Sequence, residues 1–410
     1  MLTYSKERSE GMKKVATMKL LLVFGLVLEL LIPFTVVHAR QDSIILWSKA
    51  ISNLEGGLIS PDGSWLVLYH PGTIEAYDIS GDFLWKKSLW REDQWVGPKV
   101  SFWGSERLVL AAADGSIMVV DKDGKTAWQR NIPGIDPIEV KVSPDLFAVS
   151  ILCYRRDIVG QHPPIKDTLP SEVFIFDQQG NELSFMEAEY IYHVELGPKG
   201  ETMVISMYEN GYEKVVVWDG NNRKLELYKR ESPYREENDL QIKALFENNL
   251  VAVWRFSEER KLGLLNLTDG KVIAFESFSS IYNLTSALLS DQGGNIYIGG
   301  ADEKSNLLMK INRLNSDKNI IRFPEKEERK LVIGALDWSS DNNILLLINK
   351  INVKVREYII ELASLNLRSG EIQTILNVDG YAGKLDLNSN GTKGILVTNR
   401  SAYILDLTGY

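Results

Sequence analysis

The sequence is poor in the residues that form disulfides and zinc sites. Among its 410 residues Cys153 is the single cysteine, and there are only four histidines. One thiol cannot form an internal disulfide, and it excludes zinc sites built from two or more cysteines. Outside the amino-terminal segment, His70, His162 and His193 do not have a spacing typical of zinc ligands. We therefore expect no metal site.

Basic residues are also in the minority. The chain has 46 Lys and Arg against 55 Asp and Glu, a net charge of −9 and an isoelectric point near 5.3. Nucleic-acid-binding proteins neutralise phosphates with Lys and Arg, so this balance argues against a nucleic-acid partner. Hydrophobic residues make up 44% and charged residues 25% of the chain, which is typical of a globular protein and argues against disorder.

Long apolar runs are absent except at residues 18–39, which read MKLLLVFGLVLELLIPFTVVHA. A basic residue, an apolar run and small residues at positions −3 and −1 are the three parts of a secretory signal peptide. The sequence predicts a signal peptide over residues 1–39, cleaved after Ala39, with Met18 as an alternative start. We then expect residues 40–410 to form one exported domain in the periplasm or outside the cell.

The alternative to cleavage is an anchor that keeps the protein on a membrane. The apolar run over residues 20–37 is 18 residues long and contains Glu29. A bilayer-spanning helix needs about 20 apolar residues. The run is therefore short for a membrane span, and cleavage is favoured.

A short turn pattern recurs through the rest of the chain. Each instance has two mostly apolar residues, then Asp or Asn, and usually Gly three or four residues later. The Asx positions are Asp78, Asp121, Asp177, Asp219, Asn266, Asn312, Asn366 and Asp406. Their mean spacing is about 47 residues, a period typical of propeller blades. An Asx side chain can bond its own backbone two residues on, so we predict a hairpin turn at each position.

A second pair of apolar runs precedes each hairpin. The clearest pair surrounds Pro61, Asp62 and Gly63. Four short antiparallel strands in each unit are what a propeller blade requires. The sequence therefore predicts an all-β, eight-bladed β-propeller, with seven blades as the alternative because the turn at Asn312 lacks its Gly.

The two ends of the repeat region complement each other. The last turn begins at Asp406 and stops where a fourth strand should follow, whereas residues 44–51 form an apolar run without partners of its own. Trp47 in this run precedes polar residues, as do Trp85 and Trp128 in predicted fourth strands. We predict that the amino-terminal strand pairs with the last blade and removes two exposed sheet edges.

The repeat resembles a known family in its first two units. Residues 76–85 read AYDISGDFLW, and residues 121–128 repeat the order Asp, Gly and then Trp four residues later. This order resembles the pyrroloquinoline-quinone-type propeller repeat, and the pair Trp218 and Asp219 is similar to WD repeats. The resemblance implies a β-propeller that is either a quinone-dependent dehydrogenase or a non-enzymatic scaffold, such as the propeller subunit of the outer-membrane β-barrel assembly machinery.

The cysteine content favours the scaffold type. Many of the dehydrogenases place two adjacent cysteines against the quinone, and this chain has one cysteine. No Ser stands in a Gly-x-Ser-x-Gly pattern either. We therefore expect a non-catalytic protein without a cofactor.

Aromatic and arginine side chains are predicted at the connections that share one face of the propeller. They are Trp90, Trp95, Tyr154, Arg155, Arg156, Tyr190, Tyr208, Tyr212, Tyr234, Arg255, Tyr282 and Tyr381. Tyr, Trp and Arg are the residue types that dominate binding hot spots. We predict that this loop face binds a protein or polymer partner. The alternative is that the aromatic rings pack between blades.

One connection on this face is unusually long. Residues 154–172 contain Pro163, Pro164 and Pro170, which disfavour a regular strand. Long loops are often functional, so this insertion is predicted to bind a partner or to cover the pore. Two alternatives to the scaffold remain: a quinone-dependent or sugar-cleaving enzyme that uses the central funnel, and a membrane-tethered sensor domain.

Overall fold

The described residues of the computed structural model are dominated by short strands. It describes residues 44–51, 53–89, 97–155, 170–219, 224–232, 240–246, 249–255, 261–277, 281–289, 295–302, 306–312, 318–323, 329–340, 343–352, 357–380 and 383–410. The predicted leader over residues 1–39 and residues 156–169 of the long insertion lie outside this set. Contacts divide the chain into two units, Met1–Leu46 and Trp47–Tyr410, and the second contains the sheets below apart from the first two residues of β1.

The first half of the chain folds into strands grouped in fours. β1 (Ile45–Ala50) comes first in the chain. Sheet 1 contains β2 (Gly56–Ile59), β3 (Trp65–His70), β4 (Thr73–Asp78) and β5 (Phe83–Ser88). Sheet 2 contains β6 (Lys99–Trp103), β7 (Arg107–Ala111), β8 (Ser116–Asp121) and β9 (Thr126–Asn131). Sheet 3 contains β10 (Ile135–Val142), β11 (Ala148–Arg155), β12 (Ser171–Asp177) and β13 (Glu182–Ala188). Sheet 4 contains β14 (Tyr190–Leu196), β15 (Thr202–Glu209), β16 (Tyr212–Asp219) and β17 (Lys224–Glu231).

The second half repeats the grouping. Sheet 5 contains β18 (Leu240–Leu245), β19 (Leu250–Arg255), β20 (Lys261–Asn266) and β21 (Val272–Ser277). Sheet 6 contains β22 (Ile281–Leu289), β23 (Asn295–Asp302), β24 (Asn306–Asn312) and β25 (Lys318–Phe323). Sheet 7 contains β26 (Arg329–Ser340), β27 (Asn343–Asn352), β28 (Glu357–Asn366) and β29 (Ile372–Asp379). Sheet 8 contains β30 (Lys384–Leu387), β31 (Lys393–Val397) and β32 (Ser401–Asp406), and its order is β30-β31-β32-β1.

Within sheets 1 to 7 the strands follow chain order and consecutive strands pair antiparallel, as hairpins require. The described helical structure includes a 3₁₀ turn over Pro198–Gly200. No described helix is long and apolar enough to span a membrane. The all-β prediction is confirmed for the part of the chain that the structure describes.

The core consists of apolar layers between successive sheets. Second and third strands supply most of it: β11 is buried from Ala148 through Cys153, and Trp65 of β3 is completely buried. One layer joins sheet 8 to sheet 1, with Tyr77 of β4 and Ile404 of β32 in the same cluster. Burying a large apolar side chain contributes about 1.5–3 kcal/mol, so these layers are the main source of stability.

The repeated Asx residues close turns between the third and fourth strands. The Asp78 carboxylate accepts a hydrogen bond from the Asp82 amide over 2.9 Å, and Asp121 and Asp177 accept bonds of 2.8 Å from amides four residues on. Asn266 and Asn366 accept bonds from amides two residues on. Asp406 does the same with Thr408. Asp219 and Asn312 end β16 and β24, and the residues after them lie outside the described set.

Two tryptophans, Trp85 and Trp128, connect neighbouring sheets through these turns. The ring of Trp85 in β5 lies over Gly124 so closely that a Cβ there would be 2.6 Å from the ring. Trp128 and Gly180 repeat the contact between sheets 2 and 3 at 2.7 Å. The Trp85 indole also donates a hydrogen bond to the Lys122 carbonyl over 2.8 Å. Glycine is required at position 124 because the ring leaves no room and φ is +80°.

Candidate functional site: a charged cavity on the first strands

A cavity of about 400 Å³ is lined by the first strands of sheets 8, 2 and 3, by Glu55, which directly precedes β2, and by Tyr69 of β3. We call it the inner cavity. Its polar and charged lining consists of Glu55, Tyr69, Lys99, Ser101, Glu139, Lys141 and Lys384. Small-ligand sites occupy roughly 300–1,000 Å³, so the inner cavity has the size of a binding site for a small molecule.

The strand order explains why charged residues line this cavity. First strands have only one neighbouring strand in their own sheet, and β6 is half-buried over four of its five residues. The adjoining second strand, β7, is buried over its last four residues. Charged side chains are therefore disfavoured in the buried middle of the second strands and tolerated on the first strands, where water can reach them.

One wall of the inner cavity carries charges that neutralise each other. The Lys141 ammonium lies 3.3 Å from Glu139 and 3.5 Å from Glu195 of β14. Lys243 of β18 lies 3.7 Å from the other oxygen of Glu195. His193 Nδ1 lies 3.9 Å from Glu139, which also accepts a 3.2 Å hydrogen bond from the Val194 amide. This chain of ion pairs connects the first strands of sheets 3, 4 and 5.

The pKa values of this wall follow from those contacts. Burial raises the pKa of Glu139, but the neighbouring His193 and the charge of Lys141 outweigh it and hold that pKa below its usual range. Burial lowers the pKa of Lys141, but Glu195 and Glu139 outweigh it and raise that pKa. Glu139 and Lys141 are therefore both charged at neutral pH.

The opposite wall is less balanced. Lys384 donates a 2.7 Å hydrogen bond to the backbone carbonyl of Glu55. Neither Lys99 nor Lys384 has a carboxylate oxygen of any described residue within 4.0 Å. Burial lowers the pKa of Lys384, and the neighbouring charge of Lys99 lowers it further. Burial raises the pKa of Glu55, and the charges of the two lysines offset part of that shift.

Two glycines let the Glu55 region pack against its neighbours. A Cβ at Gly97 would lie 1.3 Å from the Glu55 carboxylate, and the Gly97 backbone hydrogen-bonds to that carboxylate. A Cβ at Gly56 would lie 2.2 Å from the Tyr69 hydroxyl oxygen. Glycine at both positions therefore leaves room for the Glu55 carboxylate and the Tyr69 phenol on the cavity wall.

The predicted loop-face residues of sheets 3 and 4 divide into buried and accessible side chains. Tyr154 stacks on Tyr190 with 5.3 Å between ring centroids, and their hydroxyls hydrogen-bond. Tyr190 is only 1% exposed, and Tyr208 lies opposite it in β15. A ring this buried cannot contact a partner at the surface, so Tyr190 has the alternative role of packing between sheets.

Arg155 and Tyr212 remain accessible at the edge where second strands connect to third strands. The Arg155 side chain is 57% exposed and lies 3.1 Å from the carboxylate of Glu172, which is buried. Lys229 lies over the Tyr212 ring at 4.4 Å from its centroid. A partner at this edge would meet the Arg155 guanidinium and the Tyr212 ring, one face of which is covered by the Lys229 ammonium.

The structure does not describe the side chains of the remaining loop-face residues. Arg255 ends β19 and Tyr282 lies in β22, so their backbones belong to sheets 5 and 6. Trp90, Trp95, Arg156, Tyr234 and Tyr381 lie outside the described residues.

Sequence reasoning did not find the inner cavity. A signal was present: Glu139 and Lys141, and likewise His193 and Glu195, alternate on strands whose neighbouring second strands are mostly apolar in their middle residues. Among the described residues, no three His, Cys, Asp or Glu side chains come close enough together to hold a metal ion. Cys153 is completely buried, and burial raises the pKa of its thiol.

No protein-family model matches the chain. Two curated proteins, each named lambda-carrageenase, from Pseudoalteromonas sp. and Pseudoalteromonas carrageenovora, are 27% identical over 120 residues. That alignment covers 28% of this chain and 12% of theirs, so the chain spans a small part of these relatives.

Solved structures resemble the chain over most of its length. The Dos1 propeller has a TM-score of 0.61 and 12% identity, covering 90% of this chain and 96% of its own. The carboxy-terminal WD40 domain of Sif2 has a TM-score of 0.63 and 11% identity, covering 87% and 97%. BamB from Moraxella catarrhalis has a TM-score of 0.52 and 12% identity, covering 88% and 99%. The chain therefore has a β-propeller fold.

Proposed function

We propose that the chain is an exported, eight-bladed β-propeller that acts as a non-catalytic scaffold and binds a protein partner with its loop face. The observation that carries this proposal is the likeness to propeller domains over about nine-tenths of the chain. Propellers present connected loops on a rigid framework, and such loops are common sites of binding. Residues 40–410 would form this single domain.

Sheet 8 supports ring closure by the amino-terminal strand. β1 lies next to β32, and the Ile51 amide donates a 3.2 Å hydrogen bond to the Arg400 carbonyl. A closed ring of eight sheets leaves no unpaired first or last blade. The contacts of Trp85 and Trp128 with the next glycine turn support a pyrroloquinoline-quinone-type repeat in sheets 1 to 3.

Export rests on the leader pattern at residues 18–39. Cleavage after Ala39 predicts a mature protein that begins at Arg40 in the periplasm or the medium. Amino-terminal sequencing of the protein from its native host tests this directly. An intact leader on membrane-bound protein would instead support the tethered sensor.

The loop face is tested by variants at its accessible positions. Arg155→Ala combined with Tyr212→Ala should abolish recovery of the partner in crosslinking from native extracts. Lys271→Ala is the matched control, because Lys271 is 82% exposed and follows an Asx turn at the opposite edge of the sheets. Recovery of the same protein by the double variant would contradict the proposal.

A second candidate is a sugar-cleaving enzyme that uses the inner cavity. The alignment with the two lambda-carrageenases favours it, as do two carboxylates, Glu55 and Glu139, whose pKa values are shifted in opposite directions. Paired carboxylates of this kind divide the roles of acid and base in glycoside cleavage. The candidate predicts new reducing ends from lambda-carrageenan, lost in Glu55→Gln and Glu139→Gln. Absence of reducing ends with the unmodified protein would exclude lambda-carrageenan as its substrate.

A further inference from the structure

The two walls of the inner cavity differ in how their cations are neutralised. Lys141 lies within 3.5 Å of two carboxylates. Lys99 and Lys384 have no described carboxylate oxygen within 4.0 Å, although both face the electrostatic field of Glu55. Two ammonium groups that share a cavity repel each other, and an anion bound between them offsets that repulsion. Their wall therefore favours an anionic group.

The rest of the lining favours hydroxyl groups and an apolar ring face. Glu55 and Glu139 are carboxylates, which accept hydrogen bonds from hydroxyl donors. The phenol of Tyr69 and the hydroxyl of Ser101 can donate and accept. Between these groups, Pro98 and Ile138 provide apolar surface. A ligand that suits all of them carries several hydroxyls, an apolar face and one anionic substituent.

The size of the inner cavity favours a small molecule over a protein surface as its occupant. Glu55 directly precedes β2, and Lys99 and Lys384 are the first residues of β6 and β30, so all three lie at the same edge of their antiparallel sheets. A protein interface buries about 800 Å² on each partner, whereas a cavity of about 400 Å³ holds a small molecule or one short unit of a polymer.

We propose that the inner cavity binds an anionic sugar, with its carboxylate or sulfate between Lys99 and Lys384 and its hydroxyls on Glu55 and Glu139. The site is distinct from the protein-binding loop positions Arg155 and Tyr212. Binding does not require cleavage, so the site stands if no reducing ends are released. The acidic peptide Asp-Glu would place carboxylates between the lysines but has no hydroxyl group to donate to Glu55 or Glu139.

Isothermal titration of the full chain with galactose, galactose 6-sulfate, glucuronate and the dipeptide Asp-Glu tests the site. Charge-assisted hydrogen bonds from two ammonium groups to the anion predict that the anionic sugars bind at least about tenfold more tightly than galactose. Lys99→Ala and Lys384→Ala should each reduce that affinity by about tenfold. Lys271→Ala, in an exposed turn, should leave it unchanged.

Each contrary result overturns a defined part of the proposal. Equal affinity for galactose and galactose 6-sulfate would remove the anion site. Inorganic sulfate binding as tightly as galactose 6-sulfate would remove the role of the hydroxyls. Tighter binding of Asp-Glu than of glucuronate would assign the cavity to acidic peptides. Because Lys99 and Lys384 lie on different sheets, either variant remains informative if the other fails to fold.

Discussion

The indole nitrogen of Trp47 donates a hydrogen bond to the carbonyl oxygen of Ile79 over 3.0 Å. Trp47 belongs to β1 beside the last strand of the chain, and Ile79 follows β4 in sheet 1. The same relationship joins Trp85 to the Lys122 carbonyl between sheets 1 and 2. Sheet 8 therefore contacts sheet 1 in the way that sheet 1 contacts sheet 2.

Replacing Trp47 by Phe should destabilise the protein by about 1 kcal/mol, because the Ile79 carbonyl loses its hydrogen bond while most of the ring packing remains. Trp128→Phe is the matched control, since no described residue accepts a hydrogen bond from the Trp128 indole nitrogen. Urea unfolding measures both free energies. A larger loss for Trp128→Phe than for Trp47→Phe would contradict the assigned role of the hydrogen bond.

The glycine under Trp85 gives a second comparison. Gly124→Ala places a Cβ 2.6 Å from the ring at φ +80°, whereas Gly370→Ala at φ +71° meets nothing within 4 Å. In both variants an alanine must adopt the left-handed backbone conformation, which destabilises the fold by roughly 1 kcal/mol. Gly124→Ala should lose an additional 1–3 kcal/mol, roughly, from overpacking. Equal denaturation midpoints for the two variants would show that the ring adapts without cost.

The turns show which parts of the fold are readable from sequence. Asp78 and Asp121 mark hairpins because their side chains bond the local backbone, and local bonds leave a local pattern. The strand pairs around them follow from alternating apolar residues. The packing of Trp85 on Gly124 joins residues of different sheets, and the sequence contains only the repeated spacing that makes such a contact regular.

The sites were less predictable for a physical reason. Tyrosine is a residue type common in binding hot spots. The burial of Tyr190, however, depends on how sheet 4 packs against sheet 3, and no local sequence pattern indicates that packing. Lys99 and Lys384 are 285 residues apart, and they share a cavity because sheet 8 and sheet 2 lie on either side of sheet 1. Only the arrangement of the sheets brings them together.

The ion pair between Lys49 and Glu75 predicts a pH dependence. Lys49 of β1 lies 2.8 Å from Glu75 of β4, and Lys86 lies 3.1 Å from it. Burial raises the pKa of Glu75, but hydrogen bonds from Lys49, Tyr77 and Lys86 outweigh it and lower the pKa to about 2. The ionised carboxylate therefore stabilises the fold above its ordinary pKa, and this contribution is lost as the pH falls toward 2.

Glu75→Gln should cost about 1 kcal/mol at pH 7, and the difference from the unmodified protein should shrink between pH 4.5 and about 2. Unfolding free energies at pH 7, 4 and 2.5 measure it. Lys271→Gln removes an exposed ion pair within one turn and should not measurably change the unfolding free energy at any of these pH values. A difference for Glu75→Gln that grows on acidification would contradict the assigned sign.

Ring closure by β1 is tested most directly by thermal unfolding of two chains, one beginning at residue 40 and one at residue 52. Removal of β1 deletes Trp47 and exposes an edge of β32 and the apolar layer that contains Tyr77 and Ile404. Circular dichroism should show that the shorter chain melts roughly 5 °C or more below the longer one, or does not fold. Identical melting temperatures would contradict closure of the propeller by its amino-terminal strand.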